Sequence, residues 1–200
     1  FAPTLARALR FLAMNAAVSF ALSFALGPLL LMAGVHLGPL PAWWVVALQL
    51  AFFLVLDDAL FYAVHRLLHT RWLYRHVHAW HHRVYAPFAL SGAIMHPLEW
   101  GLISAMVALG PLLVGAHLYV FWAWVIVRQW ENAEFHSGFK GPWRLGRLLP
   151  FCGGVEHHDL HHARVHGNYA AIFTFWDRWL GTELTSYDTR RERPPRADAA

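Results

Sequence analysis

Histidines at short, regular spacing are the residues of this chain best suited to carry out chemistry. The 200-residue sequence has 15 histidines and one cysteine. Eight of the histidines fall into three boxes, which are His65 and His69; His78, His81 and His82; and His158, His161 and His162. Residues spaced i, i+3 and i+4 share one face of a helix, so the imidazoles of each box are expected to point together. Imidazole binds iron, zinc, copper and nickel, and the pattern therefore predicts a metal centre.

Chance does not explain the two triplets. At the histidine frequency of this chain, such a triplet is expected about 0.08 times over the whole sequence, whereas two are present. Eight imidazoles exceed the needs of a single ion, because catalytic zinc takes about three protein ligands and structural zinc four. Two metal ions are the expected arrangement. Two haems are disfavoured, since neighbouring imidazoles would lie where a porphyrin must fit.

Several residues beside the boxes are candidates for supporting roles. Asp58 lies two helical turns before His65, in an apolar stretch where a bare carboxylate is costly. We expect it to accept a hydrogen bond from a ligand imidazole, which would fix the tautomer; a snorkelling or interhelical polar contact is the alternative. Asp57 points about 100° away on the helix. His96 is either an additional ligand or a helix-entry residue.

The remaining histidines fall outside the register. His76 and His157 face away from the triplets beside them, and His166 is off the pattern. His36 and His117 lie in loops at the opposite end of the predicted helices and are expected to be interfacial.

Membrane helices are the elements that must position these groups. Hydrophobic residues make up 58% of the chain and charged residues 14%, against about 25% charged in soluble domains. A soluble, disordered or fibrous protein is thereby excluded. Residues 11–65 and 84–127 contain no Lys or Arg, and each stretch is long enough for two spans. We predict an all-α membrane protein with about four transmembrane helices, near 11–33, 43–67, 97–113 and 117–136; a re-entrant hairpin made by the last two is an alternative.

The positive charges predict the orientation. The sixteen Lys and Arg residues divide into two in 1–10, four in 65–83 and ten in 128–196. The positive-inside rule then places both termini and the 66–95 loop in the cytoplasm. The boxes would lie in a cytoplasmic helical cap, and the net charge of +4 reflects topology, with no nucleic-acid partner expected.

The boxes and their surroundings resemble the fatty acid hydroxylase and sterol desaturase superfamily of integral-membrane non-haem di-iron oxygenases. The matching stretches, in the order of the family, are DALFYAVHRLLH, LYRHVHAWHH, HPLEW, NAEFHSG, and EHHDLHH followed by GNYA and WDRWLGT. They imply one membrane-embedded hydroxylase or desaturase domain over residues 1–183 with its histidine-box core at 50–183. Residues 184–200 are expected to form a disordered C-terminal tail.

The resemblance also implies the site residues. Two iron ions, with zinc as a substitute in purified protein, would be bound by His65, His69, His78, His81, His82, His136, His158, His161 and His162. Asn132 stands where one branch of the family has a further histidine and is a candidate additional or supporting residue. Asn168 and Tyr169 of GNYA are expected to lock the third box against the first.

The implied reaction is O₂-dependent hydroxylation or desaturation of a C–H bond in a sterol-like or fatty-acyl lipid. Electrons would come from NAD(P)H through a separate donor, such as ferredoxin or a b-type cytochrome with its reductase. Phe61, Tyr62 and Leu68 are candidates for the substrate channel. The basic residues Arg71, Arg75, Arg144 and Arg147 would dock the donor or anionic lipid, although topology alone would also account for them.

Two other classes of function use the same histidines. One is a divalent-metal transporter, which would need polar groups along several spans. The other is a metal-binding membrane protein in which the ions only hold the cytoplasmic loops together.

Overall fold

The chain is built from helices. A computed structural model describes residues 5–32, 34–84, 88–139, 141 and 148–184, and no strand occurs among them. Arg144, Arg147 and residues 185–200 of the predicted tail lie outside the described residues. Within the described residues, two short 3₁₀ segments, His78–Arg83 and Ala89–Ala93, accompany seven α-helices: α1 Leu5–Met32, α2 Trp43–Leu68, α3 Arg71–His76, α4 Pro97–Leu113, α5 Leu118–Phe135, α6 Gly154–Arg164 and α7 Phe175–Trp179.

Two of the described helices are long and apolar enough to cross a membrane. These are α1, through its segment Leu5–Ala25, and the whole of α2. The third predicted span, α4, is apolar but has only 17 residues. The fourth, α5, has 18 residues and includes Arg128, Glu131 and Glu134. The all-helical fold is therefore confirmed, whereas the number of spans stays a prediction.

Helix α4 occupies the centre of the bundle, where it packs on α1, α2 and α5. Gly110 allows the close approach of α2, because a Cβ there would lie 2.7 Å from the Phe53 ring. Phe53 also packs on Trp124 of α5, whose indole N–H donates to the Val107 carbonyl of α4 at 3.1 Å. Small and aromatic residues thus bring three helices together around one core.

A buried ion-pair network joins α2 to α5. The Arg128 guanidinium lies 2.8 Å from an Asp57 carboxylate oxygen and 2.5 Å from Glu131. Charged groups inside an apolar bundle are tolerated when they pair with one another. Asp57 therefore pairs with an arginine of α5.

The loops at the far end of the bundle meet at a histidine pair. His117 is 2% exposed, so its side chain is buried where the two loops meet, and the interfacial position of these loops stays a prediction. Its Nε2–H donates to the Gly38 carbonyl at 2.9 Å, and its Nδ1 accepts from the Tyr119 amide. The His36 ring packs edge-on against it.

Candidate metal centre

Nine histidines converge at the end of the bundle where α2 and α5 terminate. Among the described residues they form two clusters, and within each cluster the ligand atoms lie within 4.8 Å of one another. We call them the five-histidine cluster, His65, His69, His78, His82 and His161, and the four-histidine cluster, His81, His136, His158 and His162. Together they contain the nine histidines named above.

Neighbouring histidines of one box belong to different clusters. His81 and His82 lie on a 3₁₀ helix, in which successive side chains are about 120° apart. His161 and His162 lie on α6, where the rotation is about 100° per residue. Each box was expected to present a single face, but each triplet contributes to both clusters.

Hydrogen bonds to carbonyl oxygens set the tautomers of three imidazoles. Nδ1 of His65 lies 2.8 Å from the Tyr169 carbonyl oxygen, Nδ1 of His161 is 2.7 Å from that of Gly167, and Nδ1 of His136 is 2.7 Å from that of Asn132. A carbonyl oxygen only accepts, so each Nδ1 carries the proton. The Nε2 lone pairs of these rings consequently point into the clusters.

The unprotonated nitrogens face one another at short distances. Nδ1 of His78 bonds to a carboxylate, that of Glu99, so the Nε2 atoms of both His65 and His78 are free of protons, and they lie 3.1 Å apart. Two lone pairs at this distance repel unless a cation lies between them. A metal that binds two imidazoles about 2.0–2.1 Å away at a right angle separates their nitrogens by about 3.0 Å. The buried Nε2 of His69 has no hydrogen-bond partner, and the donor set therefore fits two metal ions.

Burial keeps these imidazoles neutral. It lowers the pKa of His69 to about 3. Burial, followed by the neighbouring imidazoles, also lowers the pKa of the other histidines outside the helical spans well below the ordinary value: His78, His81, His82, His158, His161 and His162. Metal binding requires the neutral form of histidine, so the site is ready to bind at neutral pH.

Glu99 is a site residue that was not singled out from the sequence. It is 1% exposed at the start of α4, and its Oε1 lies 2.6 Å from Nδ1 of His78. A carboxylate that accepts from a ligand imidazole fixes its tautomer and orientation. The signal was available in HPLEW, where an acid follows shortly after a proline at the start of an apolar helix.

Asp58 contacts a different partner from the one expected. Its two carboxylate oxygens accept hydrogen bonds from the Ile172 and Phe173 amides and from the Trp176 indole, at 2.7–3.0 Å. The ligand imidazole nearest to it in sequence, His65, donates instead to the Tyr169 carbonyl. Asp58 thus supports the segment that carries this carbonyl and does not contact an imidazole.

A second buried carboxylate, Asp177, organises the same segment. It is fully buried and accepts from the Tyr169 and Ala170 amides, the Thr182 hydroxyl and Nε2–H of His157, at 2.7–3.0 Å. Burial opposes its ionisation, but these hydrogen bonds lower its pKa below the ordinary value. Asp177 was not identified from the sequence, where it is one acid among several near the C-terminus.

Asn168 connects this segment to α6. Its backbone is left-handed, with φ of 51°, a conformation that asparagine adopts more readily than most residues. Its side-chain amide donates to the His157 carbonyl of α6 at 3.2 Å and its oxygen accepts from the Leu184 amide at 2.7 Å. Asn168 therefore contacts α6, the helix that carries the third box, and Tyr169 contacts His65 of the first box.

An apolar cavity ends at the clusters. Its volume is about 350 Å³, and it is lined by residues of α1, α2, α4 and α5 together with His65, His81 and His136. Phe61 and Leu68 line it as expected. Tyr62 is not among the lining residues; its hydroxyl pairs with that of Thr182 at 2.9 Å. The cavity therefore provides mostly apolar space beside the histidines.

Comparison with known proteins identifies the family. The family model for fatty acid hydroxylase matches residues 50–182. The chain belongs to the fatty acid hydroxylase family. It is 44% identical over 148 residues to the very-long-chain aldehyde decarbonylase GL1-8 of rice (72% of this chain and 55% of the relative) and 39% identical to methylsterol monooxygenase 2-2 of Arabidopsis thaliana (72% and 56%).

A fungal relative, methylsterol monooxygenase erg25B of Aspergillus fumigatus, is 36% identical over 160 residues, which cover 78% of this chain and 54% of the relative. The chain thus spans about half the length of the curated relatives it matches. No solved structure is significantly similar to it. The resemblance seen in the histidine boxes is confirmed.

His96 and Asn132, the remaining candidates for additional ligands or supporting residues in this member of the hydroxylase family, belong to neither cluster. His96 caps α4, with Nδ1 accepting from the Leu98 amide, and belongs to neither cluster. Asn132 supplies the carbonyl that accepts from His136, and its side chain lies against Gly92, where a Cβ would be 2.6 Å from Oδ1. Asn132 thus acts through its backbone.

Replacing Asp177 with asparagine is expected to destabilise the fold. Each Asp177 oxygen accepts from one backbone amide, that of Tyr169 or that of Ala170. The side-chain nitrogen of asparagine only donates, so in Asp177→Asn one of these two amides would lose its acceptor. The free energy of unfolding is expected to decrease by about 1–3 kcal/mol, which corresponds to a decrease of several degrees in melting temperature for a chain of this size. Thermal unfolding in detergent measures it.

Glu183→Gln is the matched control, because Glu183 makes an ion pair with the exposed Arg178 in the same segment. Surface pairs contribute about 0–1 kcal/mol. Equal melting temperatures for the two variants would contradict the role given to Asp177.

Proposed function

We propose that this chain is a membrane-bound, O₂-dependent di-iron oxidoreductase that hydroxylates or desaturates a C–H bond of a sterol-like or fatty-acyl lipid. One observation carries the proposal: the ring nitrogens of nine histidines converge in two clusters at the end of an apolar cavity. Membership of the fatty acid hydroxylase family and relatives named methylsterol monooxygenase and aldehyde decarbonylase support it.

The nine clustered histidines are the proposed ligands, five for one ion and four for the other. Iron held by them supplies the O₂ chemistry of the reaction, and zinc would occupy the same nitrogens in purified protein. Glu99 and the carbonyls of Gly167 and Tyr169 hold the imidazole protons on the outer ring nitrogens. The cavity walls bind the lipid and exclude water from the carbon beside the clusters.

The membrane arrangement belongs to the same proposal. Four helices, α1, α2, α4 and α5, would span the bilayer, with the clusters in a cytoplasmic cap and residues 1–183 forming one domain. Arg71 and Arg75 on α3 are exposed beside the clusters, which suits docking of a separate acidic donor such as ferredoxin or a b-type cytochrome.

Metal content and O₂ consumption test the proposal together. The purified chain is expected to bind two metal ions, because each cluster has enough ligands for one. Iron-loaded protein in lipid nanodiscs, supplied with reduced ferredoxin, should consume O₂ in the presence of a 4-methylsterol or a long-chain fatty aldehyde. Mass spectrometry should find the oxidised lipid.

The control is the same preparation loaded with zinc, which should bind two ions and oxidise nothing, since zinc has no redox chemistry. A fully active preparation with a single ion would contradict the two-ion site. Metal uptake into vesicles without lipid oxidation would favour a transporter.

A further inference from the structure

The segment that follows α6, residues 169–182, runs beside α2 and contacts it at three heights. The Tyr169 carbonyl meets His65, the Thr182 hydroxyl meets Tyr62, and the backbone around Ile172 meets Asp58. Because a helix rises 1.5 Å per residue, the Asp58 contact lies about 10 Å from the His65 contact, towards the middle of α2. The segment therefore turns back along the helix, away from the metal centre.

Hydrophobic packing extends the segment further in the same direction. Ile172 and Phe173 belong to a buried cluster that packs on Leu54, one turn beyond Asp58. Leu54 is 11 residues from the start of α2 and 14 from its end. The tip of the segment thus lies level with the middle of the helix.

This position has a consequence if α2 spans the bilayer, which is part of the proposed function. The 26 residues of α2 are about 39 Å long, and the hydrocarbon layer is about 30 Å thick. The helix is therefore about 9 Å longer than the hydrocarbon layer, which corresponds to about six residues. If all six lie at the Leu68 end, the boundary of the hydrocarbon is about six residues before Leu68, and in any other position it is closer to Leu68. Asp58, ten residues from Leu68, is then at least about 6 Å inside the hydrocarbon.

Asp58 provides hydrogen-bond acceptors for backbone amides at this depth. Non-helical backbone within a bilayer is tolerated only where its polar groups are paired inside the protein. The Asp58 carboxylate accepts from two consecutive backbone amides and from the Trp176 indole. A carboxylate in an apolar span is thereby explained by the segment that it binds.

The outer face of the segment is apolar and exposed. Trp179 and Leu180 are 72% and 50% exposed, and Phe151, whose carbonyl accepts from the Thr174 amide at 2.9 Å, is 64% exposed. Leu148 beside it is 74% exposed. We refer to these four residues as the aromatic face. Two charged residues near the C-terminal end of the segment, Arg178 and Glu183, pair with each other.

We propose that the aromatic face is inserted among the acyl chains of the leaflet that α2 enters, so that the segment is a membrane-embedded anchor of the histidine-bearing cap. The bound partner is lipid, because Trp176, one turn before Leu180, bonds to Asp58 at hydrocarbon depth, and because α2 itself exposes apolar side chains near that depth, with Phe52 and Val55 42% and 48% exposed. The anchor would hold the end of the cavity at a set depth relative to the lipid substrate.

Spin labels on the full chain in phosphatidylcholine nanodiscs test the proposal. Labels are attached at Phe151→Cys or Leu180→Cys, in a Cys152→Ser background that removes the single native cysteine. Controls are Phe24→Cys, at a position 82% exposed on α1, and Arg75→Cys, at an exposed position on α3. Collision with O₂ reports lipid and collision with chromium(III) oxalate reports water.

The expected result is that both test labels behave like the Phe24 label, at a depth of about 5–10 Å below the headgroup boundary. Retained binding of two metal ions shows that each labelled chain is folded. Test labels that collide with chromium oxalate as the Arg75 label does would overturn the anchor, and labels shielded from both reagents would show a protein partner instead. A Phe24 label in water would overturn the membrane arrangement itself, which separates the two failures.

Discussion

His81→Ala and His161→Ala are each expected to abolish O₂-dependent lipid oxidation. His81 belongs to the four-histidine cluster and His161 to the five-histidine cluster, so each substitution removes a proposed ligand of a different ion. The loss should exceed the roughly 10–100-fold that follows from removing a group behind a ligand. Turnover with a lipid that the unaltered protein oxidises measures it.

Metal content should distinguish the two variants. His81→Ala leaves three imidazoles in its cluster, whereas His161→Ala leaves four. We therefore expect His81→Ala to lose close to one ion per chain and His161→Ala to retain more of its second ion. Elemental analysis after dialysis against a chelator makes this comparison.

His76→Ala is the matched control for both. His76 lies two residues before His78 but is exposed on α3, with Nδ1 bonded to the Trp72 carbonyl. Its replacement should leave metal content and turnover nearly unchanged. Full turnover by correctly inserted His81→Ala or His161→Ala would place the chemistry elsewhere and favour a role for the metals in holding loops together.

Glu99→Leu is expected to weaken metal binding by about 10–100-fold, the usual cost of losing the partner behind a ligand imidazole. Glu99 is the acceptor for Nδ1–H of His78, and leucine leaves this proton unpaired in a buried site. The His78 ring is then free to rotate or to change tautomer, and its Nε2 lone pair no longer points into the five-histidine cluster. Titration of apo-protein with zinc against a competing chelator gives the change in affinity.

Glu99→Gln separates orientation from charge. The glutamine carbonyl oxygen accepts from His78 as the carboxylate does, so this variant should keep most of the affinity and lose only the contribution of the negative charge. Affinity for Glu99→Leu equal to that of the unaltered chain would show that packing alone orients His78.

The sequence was sufficient to predict the class of fold and the identity of the clustered residues. Composition excluded soluble, disordered and fibrous classes, and the structure is all-helical. The three boxes and His136 contain the nine residues that form the two clusters. Local spacing sufficed for the eight histidines of the boxes, because histidines repeated at helical intervals are rare by chance and each repeat lies within one short element, whereas His136 was implied only by the family resemblance.

The tertiary structure decided how those histidines are divided and which groups support them. His81 and His82 are adjacent in the chain yet belong to different clusters, since the 3₁₀ helix that carries them rotates successive side chains about 120° apart. The partner of Asp58 is 114 or more residues away, and that of Glu99 is 21 residues away on another element. Such pairs follow from the packing of helices, which no local spacing encodes. The sequence alone therefore predicted an imidazole partner for Asp58, whereas the structure shows that Asp58 binds the backbone amides of Ile172 and Phe173.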